Sequence, residues 1–182
     1  MPGSCFGLGT IGKGALSRAL EDPRLIVVGA VDLDSQLHGK NMGRWLGGDP
    51  STFQISKTLS EALAQASEPP RVAIHATGSR VAQVYDQLNE LVSAGIAVST
   101  SCEEMLYPWR AAPTQAQALD TSARDRYVCI YPTGVNPGYV LDRLPASLAR
   151  TTSNITYIRA TRRVDSFTRR PQLRIKTGAG MQ

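Results

Sequence analysis

Three glycines and one acid carry the first recognisable chemistry. Gly7-Leu8-Gly9-Thr10-Ile11-Gly12 has the G-x-G-x-x-G spacing, and Asp32 follows Gly12 by twenty residues. Gly7 permits a tight strand-to-helix turn. Gly9 lets the backbone approach a pyrophosphate with no side chain in the way, and Gly12 lets the helix pack closely on the strand. The helix that follows offers free N–H groups and partial positive charge to the phosphates, with Thr10 and Ile11 of the turn as further coenzyme-binding candidates. Asp32 stands where a carboxylate accepts hydrogen bonds from the hydroxyls of an adenosine ribose, and it repels a 2′-phosphate. That favours NAD. Asp34 is an alternative ribose ligand or a turn residue. Lys40 and Arg44, in the loop that follows, are able to accommodate a phosphate, so the expected coenzyme is NAD or NADP.

Two further segments carry candidate chemistry. Thr77-Gly78-Ser79 closes an apolar run, and its small residues suit the approach of a nicotinamide ribose. Ser101-Cys102-Glu103-Glu104 closes the next apolar run. Either glutamate is able to hold or deprotonate an amine, or to stabilise an iminium charge. Ser-x-x-Glu is also a capping box, in which Glu104 only caps and Glu103 becomes the functional candidate. With Thr100 as the cap, the roles exchange. His75 lies inside an apolar run and reads as a hydrogen-bonded core residue; His38 lies in a loop. Cysteines Cys5, Cys102 and Cys129 are far apart, which suits free thiols in the cytoplasm and gives no metal pattern.

The elements that would hold these residues alternate between β-branched runs and helical periods, as in βαβ units with a parallel sheet. Leu25–Asp32 is a continuous apolar run, expected of a strand buried on both faces. Before the glycines only Ser4-Cys5-Phe6 reads as a strand. The pattern predicts helices over 13–20, 60–66, 81–94 and 107–123, and strands near 53–55, 71–77, 96–100 and 127–131. The fold expected is a Rossmann-like, doubly wound α/β domain over residues 1–133. After Pro132 the turn-rich Thr133–Gly138 segment leads to a helix near 140–148 and a strand over 154–164. Residues 134–182 read as the start of a second α/β domain, truncated, with both ends of the chain looking clipped.

Composition agrees with a soluble globular protein: 42% of the 182 residues are hydrophobic and 19% charged. No apolar stretch is long enough to span a membrane, and no leader pattern is visible. The net charge of +5 is concentrated in residues 159–182, which hold six arginines and a lysine against Asp165. Aromatic residues are not interleaved with those arginines, which speaks against nucleic acid.

With these motifs, the chain resembles the dihydrodipicolinate reductase-like superfamily, in its 2,4-diaminopentanoate dehydrogenase and native amine dehydrogenase branch. The matching segments are Gly7–Gly12, Gly29–Asp32, Ser101–Met105, Gly134-Val135-Asn136-Pro137-Gly138, Arg163-Val164-Asp165-Ser166 and Arg169–Gly180. The resemblance implies an oxidoreductase that interconverts an amine with a ketone and ammonia through an imine. It places Glu103 or Glu104 near the nicotinamide, Asn136 on the coenzyme and Arg163 on the substrate. It also implies a homodimer when full length. Dihydrodipicolinate reductases proper carry a His-His pair before a catalytic lysine; here Arg159–Asp165 lacks the histidines and has Arg163 at the lysine position. Reduction of a cyclic imine is therefore the alternative, and a non-catalytic nucleotide-binding module is the alternative from another class.

Overall fold

The computed structural model describes residues 1–165 together with Thr168, Arg174 and Gly178. Most of the matching run Arg169–Gly180 lies outside the described residues. Two compact units are separable, Met1–Gly138 and Tyr139–Gln182.

The first unit is a six-stranded sheet. Its strands are β1 (Pro2–Phe6), β2 (Ile26–Val31), β3 (Ile55–Ser56), β4 (Val72–His75), β5 (Ala97–Thr100) and β6 (Ile130–Pro132). They lie in the order β3-β2-β1-β4-β5-β6, with every neighbouring pair parallel. This is the doubly wound order in which the chain reverses direction between β1 and β4. Val31, Phe6, His75, Thr100 and Pro132 are register partners across five strands. The carboxyl edge is therefore nearly flush, and the loops leaving it are neighbours.

Side chains alternate across the strands, so each strand feeds two cores. Phe6, Val31, Ala73 and Val98 join one cluster with α4 (Val81–Ser93) and α6 (Pro113–Asp125). Cys5 and Ala30 join the other, with α1 (Thr10–Glu21) and Met42 of α2 (Met42–Trp45). In α4 the buried residues Val81, Val84, Leu88, Leu91 and Val92 recur at helical spacing. Each buried leucine there contributes about 2 kcal/mol of transfer free energy. Helix α1 buries Gly12, Leu16 and Ala19 and ends where Asp22, before Pro23, turns extended. Helix α3 is Leu59–Gln65.

Four expectations need correction. The first strand is not short: β1 has five residues and pairs on both sides. The single helix expected over 107–123 is two helices, α5 (Pro108–Ala111) and α6, preceded by a 3-10 turn (Glu103–Leu106), because Pro113 drives Ala112 out of helical geometry. The loop before Ser51 contains α2, which Asn41 caps by accepting the Arg44 N–H. The strand expected over 154–164 is not formed; residues 155–165 lack regular structure and are exposed. A strand is held by a partner's ladder, and no described residue pairs with this segment.

In the second unit a π-helical turn (Tyr139–Arg143) runs into α7 (Leu144–Ala149).

Candidate active site

The candidate residues of the first unit all leave the carboxyl edge of the sheet. In the order of the strands they are Asp32 after β2, the glycine turn after β1, Thr77-Gly78 after β4, Glu103 and Glu104 after β5, and Asn136 after β6.

The glycine turn is built for close approach. Gly7 has φ +93°, and a Cβ there would lie 2.8 Å from the Ala76 carbonyl oxygen and 2.7 Å from Thr77 Cγ2. A Cβ on Gly12 would lie 1.7 Å from the Gly7 carbonyl oxygen. These two glycines are thus required by the protein itself. Gly9 is different: a Cβ there would meet nothing within 4 Å. The space above Gly9 is open, exposed and faces the N-terminus of α1. No side chain caps that helix, and no acid stands in its first turn. Uncapped N–H groups beside open space fit a dinucleotide pyrophosphate.

Asp32 is tied into this turn. Its Oδ2 accepts the Leu8 N–H and its Oδ1 accepts the Asp34 N–H at 2.8 Å. His38 Nε2 is 2.8 Å from the Asp32 carbonyl oxygen. Asp34 accepts the Gln36 N–H, so it serves a turn. Lys13 lies over the Trp45 ring, 4.7 Å from its centroid, and bridges α1 to α2. Cys5 is buried beneath the turn, with Sγ 3.7 and 3.8 Å from the carbonyls of Gly7 and Gly12. Burial first, and the Asp32 charge second, push its thiol up to about 12.

The two glutamates differ. Glu104 does not close a capping box with Ser101. Its Oε2 accepts the Val81 N–H at 2.9 Å, and its own N–H donates to the Ser79 carbonyl at 3.1 Å. Glu104 therefore caps α4, whose N-cap residue Arg80 makes no side-chain cap of its own. This bond joins the turn after β5 to the turn after β4. Glu103 begins the 3-10 turn and is half-buried. Cys102 is buried, and desolvation pushes its thiol up.

His75 is fully buried and bonded at both nitrogens: Nδ1 to Thr100 Oγ1 at 2.9 Å and Nε2 to Gln87 Oε1 at 2.9 Å. Burial holds its pKa below the usual histidine value, against a smaller opposing effect from Gln87. Asn136 is exposed in the turn Gly134–Gly138, where Val135 and Gly138 form an isolated bridge. Arg163 belongs to the second unit and is exposed. Sequence reasoning missed the Leu8–Asp32 bond, the Glu104 cap on α4 and the partners that bond His75. Each joins residues distant in the chain, and no local pattern signals it.

Among the described residues no group of three or more His, Cys, Asp or Glu side chains is placed to hold a metal ion. No helix among them is long and apolar enough to cross a membrane.

No family model matches the chain. The 2,4-diaminopentanoate dehydrogenase of Acetoanaerobium sticklandii is 28% identical over 145 residues, covering 76% of this chain and 39% of that protein. The solved amine dehydrogenase from Mycobacterium smegmatis superposes with a TM-score of 0.75 at 27% identity, covering 85% of this chain and 45% of that one. GenD2 from gentamicin A biosynthesis, solved with NAD, shares the fold with a TM-score of 0.55 at 22% identity, over 72% of this chain and 34% of its own. The chain spans less than half the length of each of these proteins. Its likeness to the amine dehydrogenases agrees with the resemblance drawn from its motifs.

Proposed function

We propose that this chain is the coenzyme-binding part of an NAD(P)-dependent dehydrogenase acting on the C–N bond of an amine. The observation that carries the reading is the open, uncapped N-terminus of α1 above Gly9, with Asp32 locked beside it, in a chain similar to amine dehydrogenases. The backbone N–H groups of Thr10 and Ile11 hold the pyrophosphate. Asp32 receives the adenosine ribose, which favours NAD over NADP. Thr77 and Gly78 face the nicotinamide ribose, and Asn136 makes a further coenzyme contact.

The coenzyme supplies hydride transfer when bound. The residues of the chain handle the rest. Glu104 is committed to capping α4. We therefore assign the proton of the substrate nitrogen to Glu103: its carboxylate takes a proton from the ammonium group as the substrate is oxidised to an iminium, and stabilises that cation. Water then converts the iminium to ketone and ammonia. In reverse, the same carboxyl returns the proton during reductive amination. Arg163 is assigned to substrate binding.

The test is reductive amination of a ketone with ammonia and NADH by wild type, Glu103→Ala and Glu104→Ala. The reading expects Glu103→Ala to lose at least about 100-fold in rate, as removal of an acid–base group does. Wild-type rates in both variants would end the proposed acid–base role.

A further inference from the structure

With the Gln87 amide oriented as placed, its Oε1 toward Thr77 and His75, the bonds around His75 have one consistent assignment of hydrogens. Gln87 Oε1 can only accept, and it faces both Thr77 Oγ1 at 2.5 Å and His75 Nε2 at 2.9 Å. Thr77 therefore donates its hydroxyl proton to Gln87, and His75 carries its proton on Nε2. Thr77 Oγ1 also lies 2.9 Å from that Nε2, so the His75 N–H is shared between the two oxygens. Burial keeps the imidazole neutral. Nδ1 must then accept the Thr100 hydroxyl, and the Thr100 oxygen accepts the Cys102 N–H at 3.1 Å. The chain of bonds runs from Cys102, the residue before Glu103, to the hydroxyl of Thr77, an exposed residue two positions past the end of β4. That hydroxyl has given up its own proton inward. Toward solvent it offers only lone pairs.

We propose that His75 and Gln87 are positioning residues that fix Thr77 as a pure hydrogen-bond acceptor for a hydroxyl of the nicotinamide ribose. The proposal rests on the coenzyme reading above and adds the polarity of that contact. A threonine free to rotate offers donor or acceptor and pays orientational entropy on binding. Here the orientation is set before the ligand arrives. Gln87 contributes from α4, the helix that Glu104 caps. The coenzyme contact and the glutamate turn therefore share one scaffold.

His75 is buried, so its variants risk misfolding. Thr77 is exposed and Gln87 half-buried, and they carry the test. NADH and ADP are titrated calorimetrically into the wild-type chain, Thr77→Val, Thr77→Ser, Gln87→Leu and the Thr77→Val/Gln87→Leu double variant. ADP lacks the nicotinamide ribose and reports only the glycine turn and the adenosine end at Asp32. Thr77→Val and Gln87→Leu are expected each to weaken NADH about tenfold, the worth of one hydrogen bond of this kind. The double variant is expected to be no weaker than either, Thr77→Ser to restore wild-type affinity, and ADP affinity to stay unchanged throughout. Gln87→Leu binding NADH as wild type does, or the two losses adding, would overturn the proposal, as would ADP affinity falling in parallel. A wild-type chain that binds neither ligand would overturn the coenzyme reading itself.

Discussion

The backbone N–H of Leu8 donates to Oδ2 of Asp32, at 2.5 Å and across twenty-four residues of sequence. The bond fixes the acid at the end of β2 against the turn that follows β1. Its other oxygen is held by the Asp34 N–H. The carboxylate thus stands in a set position before any ribose reaches it.

Asp32→Ala is therefore expected to weaken NADH by about tenfold or more and to narrow the preference over NADPH, since both the acceptor and the repelling charge go. Fluorescence titration with the two coenzymes measures it. An unchanged ratio of affinities would remove Asp32 from ribose recognition.

Glu104→Ala is expected to lower stability by about 1 kcal/mol, the usual worth of a helix cap. Thermal melting reads that as a fall of about 3 °C in a chain of this size. Glu103→Ala should show its defect in turnover, well beyond any loss in Glu104→Ala. Equal turnover losses for both would contradict the division of roles.

Stability is expected to decline as the pH falls below about 6.5. His75 is held neutral in the folded chain, with its pKa lowered by burial, against an ordinary value of 6.5. Below that pH the unfolded chain binds a proton that the folded chain refuses, so acid favours unfolding. The contribution is fully present above 6.5 and is lost as the pH drops toward the folded value. Urea midpoints at pH 7.5, 6.5 and 5.5 measure it. His75→Gln should flatten the slope over that window.

Iodoacetamide at neutral pH is expected to modify Cys129 in the native chain and to spare Cys5 and Cys102. Cys129 is exposed, whereas the other two are buried with thiols pushed up in pKa. Alkylation requires thiolate. Mass spectrometry of the native and urea-unfolded chain distinguishes one modified site from three.

The glycine turn and the place of Asp32 were legible in the sequence because their signal is local: three glycines fix a turn, and Asp32 ends the next apolar run. The two-sided burial of β2 was equally visible in Val28, Ala30 and Val31, all buried. The central strand β1 was legible only over Ser4–Phe6, because Gly3 and Ser4 carry no apolar pattern. They sit at the sheet centre because small residues are needed there; a Cβ on Gly3 would already lie 3.2 Å from Val72 Cγ1. The Ser101–Glu104 spacing suggested a local capping box. The cap instead goes to Val81, twenty-three residues away in sequence. That choice depends on β4 and β5 being neighbours, which no local motif records. His75 read correctly as a bonded core residue, yet its partners Gln87 and Thr100 come from other elements.

The central claim, a dinucleotide seated over Gly9, is tested most directly by NADH calorimetry on wild type and Gly9→Val, with melting curves for both. A Cβ at Gly9 meets no protein atom within 4 Å, so the variant should melt within about 0.5 kcal/mol of wild type, as open surface substitutions do. The account predicts NADH binding by wild type and none by Gly9→Val. Equal NADH affinity in the two proteins, or no binding by well-folded wild type, would contradict it.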